Sequence, residues 1–262
     1  MSKGIAIFLC DITGVMGEPW LRDGYDIILV DPQHGEGVSV ECVDPEYGFP
    51  SVTKIGHKID HPETWRVLRA AIRTGNVAFV CGFPPCTDVA VCGTKQFASK
   101  FAADKHFQAK AALVAEQCQS IGKLSGAPGF WENPISVLSS IMGKPGHIFH
   151  PYQYTDLCRQ DNYFKSTCLW PYNGFVMPEE RIEPVVKLAV DLVLERVGRL
   201  WSDKKKMLKE HGDKFNAEEI DWINKYYPDD RIHKAPPGAD RANFRSATPR
   251  GFAQAVFEAN HK

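Results

Sequence analysis

Short, unbroken apolar runs alternate with amphipathic stretches over the first two-thirds of the chain, and polar residues gather where the runs end. Ile5 to Cys10 is apolar without period-two alternation, the pattern of a strand buried on both faces. It opens into the polar turn Asp11-Ile12-Thr13-Gly14, then a short helix ending near Asp23-Gly24, then a second run, Tyr25 to Val30, that stops on Asp31. Residues 35–53 are rich in Gly, Pro and acids and read as a loop, with a third strand at Val52 to Ile55. His61-Pro62-Glu63 starts a helix whose apolar stripe is Trp65, Leu68, Ala71 and Ile72. Asn76 to Cys81 is a fourth strand. Lys95 to Ile121 reads as one long helix, with Phe97, Phe101, Leu113, Val114 and Ile121 at helical spacing. A further apolar approach, Gly129-Phe130-Trp131, ends in Glu132-Asn133-Pro134.

The character changes after Asn173. Glu179 to Trp201 is amphipathic and broken early by Pro184, and Lys204 to Lys206 and Asn216 to Tyr227 suggest shorter helices. Pro228-Asp229-Asp230 and Pro236-Pro237-Gly238 punctuate loops, and Thr248-Pro249 opens a last helix with Thr as N-cap. Alternating strands and helices, followed by helices alone, predict a doubly wound, mostly parallel Rossmann-like α/β sheet with a small, mainly helical C-terminal lobe. The boundaries expected are 1–172 for a catalytic and cofactor-binding domain, 173–240 for the helical region, and 241–262 for a C-terminal helix packing back on the first domain.

Composition narrows the classes. The 262 residues are 44% apolar and carry a formal net charge of −1, so no global basic field announces nucleic acid, and any polyanion contact must be local. No stretch approaches membrane-spanning length and the N-terminal run is too short for a signal segment, so a cytoplasmic protein with no membrane partner is expected. No obligate protein partner is evident. Eight cysteines include no C-x-x-C pair, which argues against a disulfide framework and against structural zinc. No metal site is read from the sequence.

Strand, glycine turn, helix, strand, acid is a nucleotide-binding βαβ arrangement, with Asp31 about 20 residues after the first turn, where a ribose-binding acid belongs. One glycine is also what an ordinary α/β turn followed by a solvated Asp would show. Asp11, Asp31, Asp60, Cys86 and Glu132 all fall at strand ends, where ligands of such sheets sit. A cysteine and a glutamate delivered there are the two parts needed to methylate a pyrimidine at C5. A thiolate adding to C6 turns the ring into an enamine, and a carboxyl group at N3 neutralises the charge that builds up. Lys95, Lys100, Lys105, His106 and Lys110 read by themselves as a solvated face; beside Cys86 they are candidate phosphate contacts.

In sequence order, the glycine turn after the first strand, Asp31, Asp60, Phe83-Pro84-Pro85-Cys86 and Glu132-Asn133 resemble the motifs of DNA cytosine-5 methyltransferases. The likeness covers roughly residues 5–170 and continues more loosely into Arg245 to Ala255. Cys10 to Gly14, Glu132 to Ser140 and Lys165 to Trp170 look most like short phage- and prophage-encoded members, and a phage-encoded chain would work in a bacterial host cell. Thr87 stands where the family usually has glutamine and Pro134 where it has valine. The resemblance implies an S-adenosylmethionine-dependent methyltransferase sheet and a DNA substrate whose target cytosine is flipped out. It implies Cys86 as nucleophile, Glu132 at N3, and Lys165 and Thr167 as supporting catalytic groups. The cofactor would lie against Cys10, Asp11, Thr13, Gly14, Asp31, Pro32, Asp60, Phe83 and Pro84, and DNA against Lys95, Lys100 and Lys105. Two alternatives stay open: the same fold acting on a free pyrimidine nucleotide or RNA, and a non-catalytic nucleic-acid-binding relative.

Overall fold

The computed structural model describes residues 2–44, 46, 48–232, 234 and 245–261. The chain forms two compact units: residues 1–148, 167–177 and 256–262 make the first, residues 149–166 and 178–255 the second. Residues 149–166, expected with the first domain, therefore belong to the second unit. The last helix is shared between the units rather than standing apart as a segment of its own.

The first unit is α/β. Its sheet has the strands β1 (Ile5–Leu9), β2 (Asp26–Val30), β3 (Val38–Cys42), β4 (Ser51–Ile55), β5 (Val77–Gly82), β6 (Gly129–Pro134), β7 (His147–Phe149) and β8 (Thr167–Tyr172), in the spatial order β3-β4-β2-β1-β5-β6-β8-β7. The pairs β4–β2, β2–β1, β1–β5 and β5–β6 are parallel; β3–β4 and β6–β8 are antiparallel. Continuous apolar runs make β1 and β2 buried on both faces, as the absence of alternation requires. Helices α1 (Glu18–Arg22), α2 (Pro62–Arg73), α3 (Phe97–Ala103), α4 (Phe107–Ser125) and α5 (Leu138–Ile141) connect the strands. A core including Ile7, Leu9, Val30, Ile55, Leu68, Val80, Ala115, Ile121 and Trp131 holds the sheet against its helices. Trp131 and Trp170, opposite each other in the β6–β8 register, stack with ring centres 3.9 Å apart.

Three local expectations are corrected. Residues 35–53 are not all loop, because β3 pairs there with β4 as an edge strand whose residues are mostly exposed. The long helix expected from Lys95 is a 3-10 turn (Val91–Gln96) followed by α3 and α4. Asp104 separates the two helices: its backbone is extended, and its carboxylate accepts the His106 N–H at 2.9 Å and pairs with Lys110 at 2.6 Å. Strands β7 and β8 have no counterpart among the strands expected from the sequence.

The second unit is mainly helical, with α6 (Pro184–Val197), α7 (Lys204–His211) and α8 (Ala217–Tyr226), and α9 (Arg250–Asn260) runs from this unit into the first. Pro184 does not break α6 but begins it, the position where a missing N–H costs nothing. Val186, Val190, Val193, Met207, Ile223 and Tyr227 are among its core residues. Buried Asp161 accepts the Gly251 N–H at 2.7 Å, tying the first turn of α9 to the rest of the unit. Pro236-Pro237-Gly238 lie outside the described residues. Among the described residues no helix is long and apolar enough to cross a membrane.

Candidate active site

Strand order reverses between β1 and β5, and the crevice at the carboxyl ends of such a pair is where doubly wound sheets bind ligands. Cys10-Asp11 leaves β1 there. Cys10 has a left-handed φ of 56°, uncommon for a residue with a side chain, and it re-aims the chain as the strand ends. Asp11 is 4% exposed, and its Oδ1 accepts three bonds at 2.9 Å, from the Thr13 N–H, the Thr13 hydroxyl and the Gly14 N–H. Gly14 sits at φ 67°, and a side chain there would also press on Leu29 Cδ1, so the turn calls for glycine. Asp11 Oδ2 is buried with no hydrogen-bond partner among the described residues. Burial raises the Asp11 carboxyl above the ordinary carboxylate range, against the opposing pull of its bonds from Gly14 and Thr13.

At the end of β2, Asp31 is almost buried and its Oδ1 accepts the Gln33 N–H at 2.8 Å, capping a turn that begins with exposed Pro32. His34 in that turn contacts the Asp11 carbonyl through Nε2 at 2.8 Å, linking the β1 and β2 ends. Asp60 lies five residues beyond β4, exposed, just before the N-cap His61 of α2.

The Cys86 loop is built by two sets of bonds. The Phe83 N–H continues the sheet by donating to the Leu9 carbonyl at 2.8 Å, and the Cys86 carbonyl accepts from Val89 and Ala90, closing a turn around the cysteine. From β6, the neighbour of β5 in the sheet, Asn133, fully buried, donates from Nδ2 to the Pro84 carbonyl at 2.9 Å. Beyond it the Val91 N–H donates to the Ile135 carbonyl and the Val137 N–H to the Val89 carbonyl, both at 3.0 Å. The segment after Cys86 and the segment after Glu132 are thus zipped together. Glu132 is half-buried on β6, opposite Leu169, and Thr167 is buried opposite Pro134.

Cys81, one strand residue before Gly82, feels both ends of this crevice. Full burial pushes its thiol well up, and the charges of Asp11 and Glu132 push it further. A hydrogen bond with Cys10 and full burial do the same to Cys118 on α4. These two buried thiols are packing residues; Cys86 is half-buried at the crevice.

The residues expected together are therefore grouped as follows. Cys10, Asp11, Thr13, Gly14, Asp31, Phe83, Pro84, Cys86, Glu132 and Thr167 belong to the first unit, at or just beyond strand ends, and Lys165 lies in the second unit. The expected DNA-contacting lysines divide. Lys100 donates to the Thr87 carbonyl at 2.8 Å and to Asp88 at 2.7 Å, so it straps the Cys86 loop, whereas Lys95 and Lys105 are exposed. Two contributors escaped the sequence reading, His34 and the strap by Lys100; a histidine three residues past the β2 acid was the only local signal for the first. The sequence matches no protein-family model and none of the curated proteins compared with it.

Proposed function

We propose that the chain transfers a methyl group from S-adenosylmethionine to C5 of cytosine in DNA, through a covalent bond from Cys86 to C6. The observation that carries this reading is the buried Asn133–Pro84 bond, which fastens β6, bearing Glu132, to the loop after β5, bearing Cys86, one strand over from the point where strand order reverses. Asp11 and Asp31 at the neighbouring strand ends supply what the cofactor needs. Asp31 would accept from its ribose hydroxyls, and buried Asp11, with Thr13 and Gly14, would face its cationic methionine end. The cofactor supplies the electrophilic methyl group. The protein's residues do the rest: Cys86 adds to C6, Glu132 holds a proton at N3, and the Cys86 loop is kept in register by Asn133 and Lys100. Thr167 would support the β6 end, and exposed Asp60 would take the adenine role that the resemblance gives it.

A second reading, methyl transfer to a free pyrimidine nucleotide, is favoured by one observation. Lys100 and Lys110 are engaged with acids, which leaves fewer cations for a phosphate backbone. Incubation with radiolabelled S-adenosylmethionine and duplex DNA, RNA or dCMP separates the readings by which acceptor takes up label. Where DNA is labelled, an oligonucleotide carrying 5-fluorocytosine in the methylated sequence should leave an adduct that survives denaturing electrophoresis, because fluorine cannot leave C5 as a proton does. Cys86→Ser should abolish the adduct. Trapping that persists in Cys86→Ser, or a peptide map placing it on Cys81 or Cys92, refutes the mechanism.

A further inference from the structure

Away from the strand-end crevice, the connection from β4 into α2 gathers His57, His61 and Glu63, whose metal-ligating atoms lie within 4.8 Å of one another. His57 Nε2 and Glu63 Oε2 are 3.2 Å apart. Two donors each about 2.0–2.1 Å from one tetrahedral ion stand roughly 3.3 Å from each other, so this pair already has the spacing of one edge of a metal site. The His57 and His61 rings lie nearly parallel with centres 3.9 Å apart.

We propose that His57, His61 and Glu63 bind a divalent transition-metal ion of the zinc class, with water completing the tetrahedron. Two imidazoles and one carboxylate suit borderline ions such as zinc, while magnesium and calcium prefer oxygen donors throughout. His57 is the anchored ligand, its side chain only 17% exposed. Glu63 Oε1 faces Arg66 at 3.4 Å, which leaves Oε2 directed at His57. His61 is exposed and must swing off its stack on the His57 ring to aim a nitrogen at the same ion; its Nδ1 accepts only a long 3.3 Å bond from the Glu63 N–H, so that movement breaks one weak hydrogen bond. His57 precedes α2 and Glu63 stands in its first turn, so the ion clips the connection onto the helix and stabilises the folded chain by mass action. This site does not depend on the methyl-transfer reading.

The test is calorimetric titration of metal-free, reduced wild-type protein with zinc chloride, alongside thermal melting. One ion should bind per chain in the micromolar range and raise the melting midpoint, while magnesium chloride should give neither effect. His57→Ala and Glu63→Gln should each weaken zinc binding by at least about tenfold, and Cys42→Ser, Cys92→Ser and Cys158→Ser should retain it. Should His57→Ala lose its native circular dichroism, the isosteric Glu63→Gln carries the measurement. Absence of saturable binding, or binding that survives both substitutions and follows the cysteines, overturns the assignment in favour of a plain His–Glu ion pair.

Discussion

Replacing Asn133 tests how the candidate site is held together. Its side chain is fully buried, and its amide is the donor that satisfies the Pro84 carbonyl at 2.9 Å. Asn133→Leu keeps most of the volume, removes the donor and leaves a buried carbonyl unpaired, a change that by itself costs about 1–3 kcal/mol. The amide's own Oδ1 is buried without a hydrogen-bond partner among the described residues. Leucine removes that unsatisfied acceptor too, so the net loss falls near about 1–2 kcal/mol. Asn133→Ala adds a cavity and should lose about 2–4 kcal/mol. Asn133→Asp has a distinct signature. The introduced carboxyl can donate to Pro84 only when protonated, so its folded-state pKa rises above the unfolded value. The variant should stay close to wild type below about pH 4 and lose stability progressively as pH rises through the folded-state value. Urea denaturation across pH gives these differences. Alkylation of Cys86, followed by peptide mass spectrometry, reports whether the loop has loosened, and it should quicken in every variant. An Asn133→Leu protein within about 0.5 kcal/mol of wild type, with unchanged Cys86 alkylation, would refute the reasoning.

Asp31→Ala should weaken S-adenosylhomocysteine binding at least about tenfold, the loss of a charge-assisted acceptor worth about 1.5–3 kcal/mol; unchanged calorimetric affinity in a folded variant rejects the nucleotide site. Lys100→Met should lower turnover while leaving the salt dependence of DNA binding alone, because its ammonium is bound to Thr87 and Asp88. Neutralising Lys95 and Lys105 should instead flatten the plot of log affinity against log salt by roughly one unit per lost contact. For Asp11, burial raises the folded-state pKa, so the native chain holds this proton more tightly than the unfolded chain does. Its contribution to stability is therefore present at acid pH and lost as pH rises from about 4 through the folded-state value. Asp11→Asn should flatten that part of the ligand-free stability profile and raise stability at neutral pH while weakening cofactor binding, and an unchanged profile in pH-dependent denaturation contradicts it.

By itself the sequence determined the elements whose signals are local. Unbroken apolar runs specify β1, β2 and β5 because strands buried on both faces have no polar side to show, and His61-Pro62-Glu63 specifies the start of α2 because N-capping and a missing N–H act within one turn. The placement of Asp11, Asp31 and Cys86 beyond strand ends followed from those same runs. Only the tertiary structure decided what depends on pairing between distant segments. Exposed β3 has no apolar run to announce it and exists through backbone pairing with β4; β8 enters the sheet antiparallel, between β6 and β7. Residues 149–166 join the second unit although they lie between two strands of the first. The bond that fastens Glu132's strand to Cys86's loop joins residues 49 apart, and neither Asn133 nor Pro84 carries a local signal for it. A hydrogen bond across that distance is a property of packing, because each partner's need for the other arises only once burial has removed the water that would otherwise satisfy both.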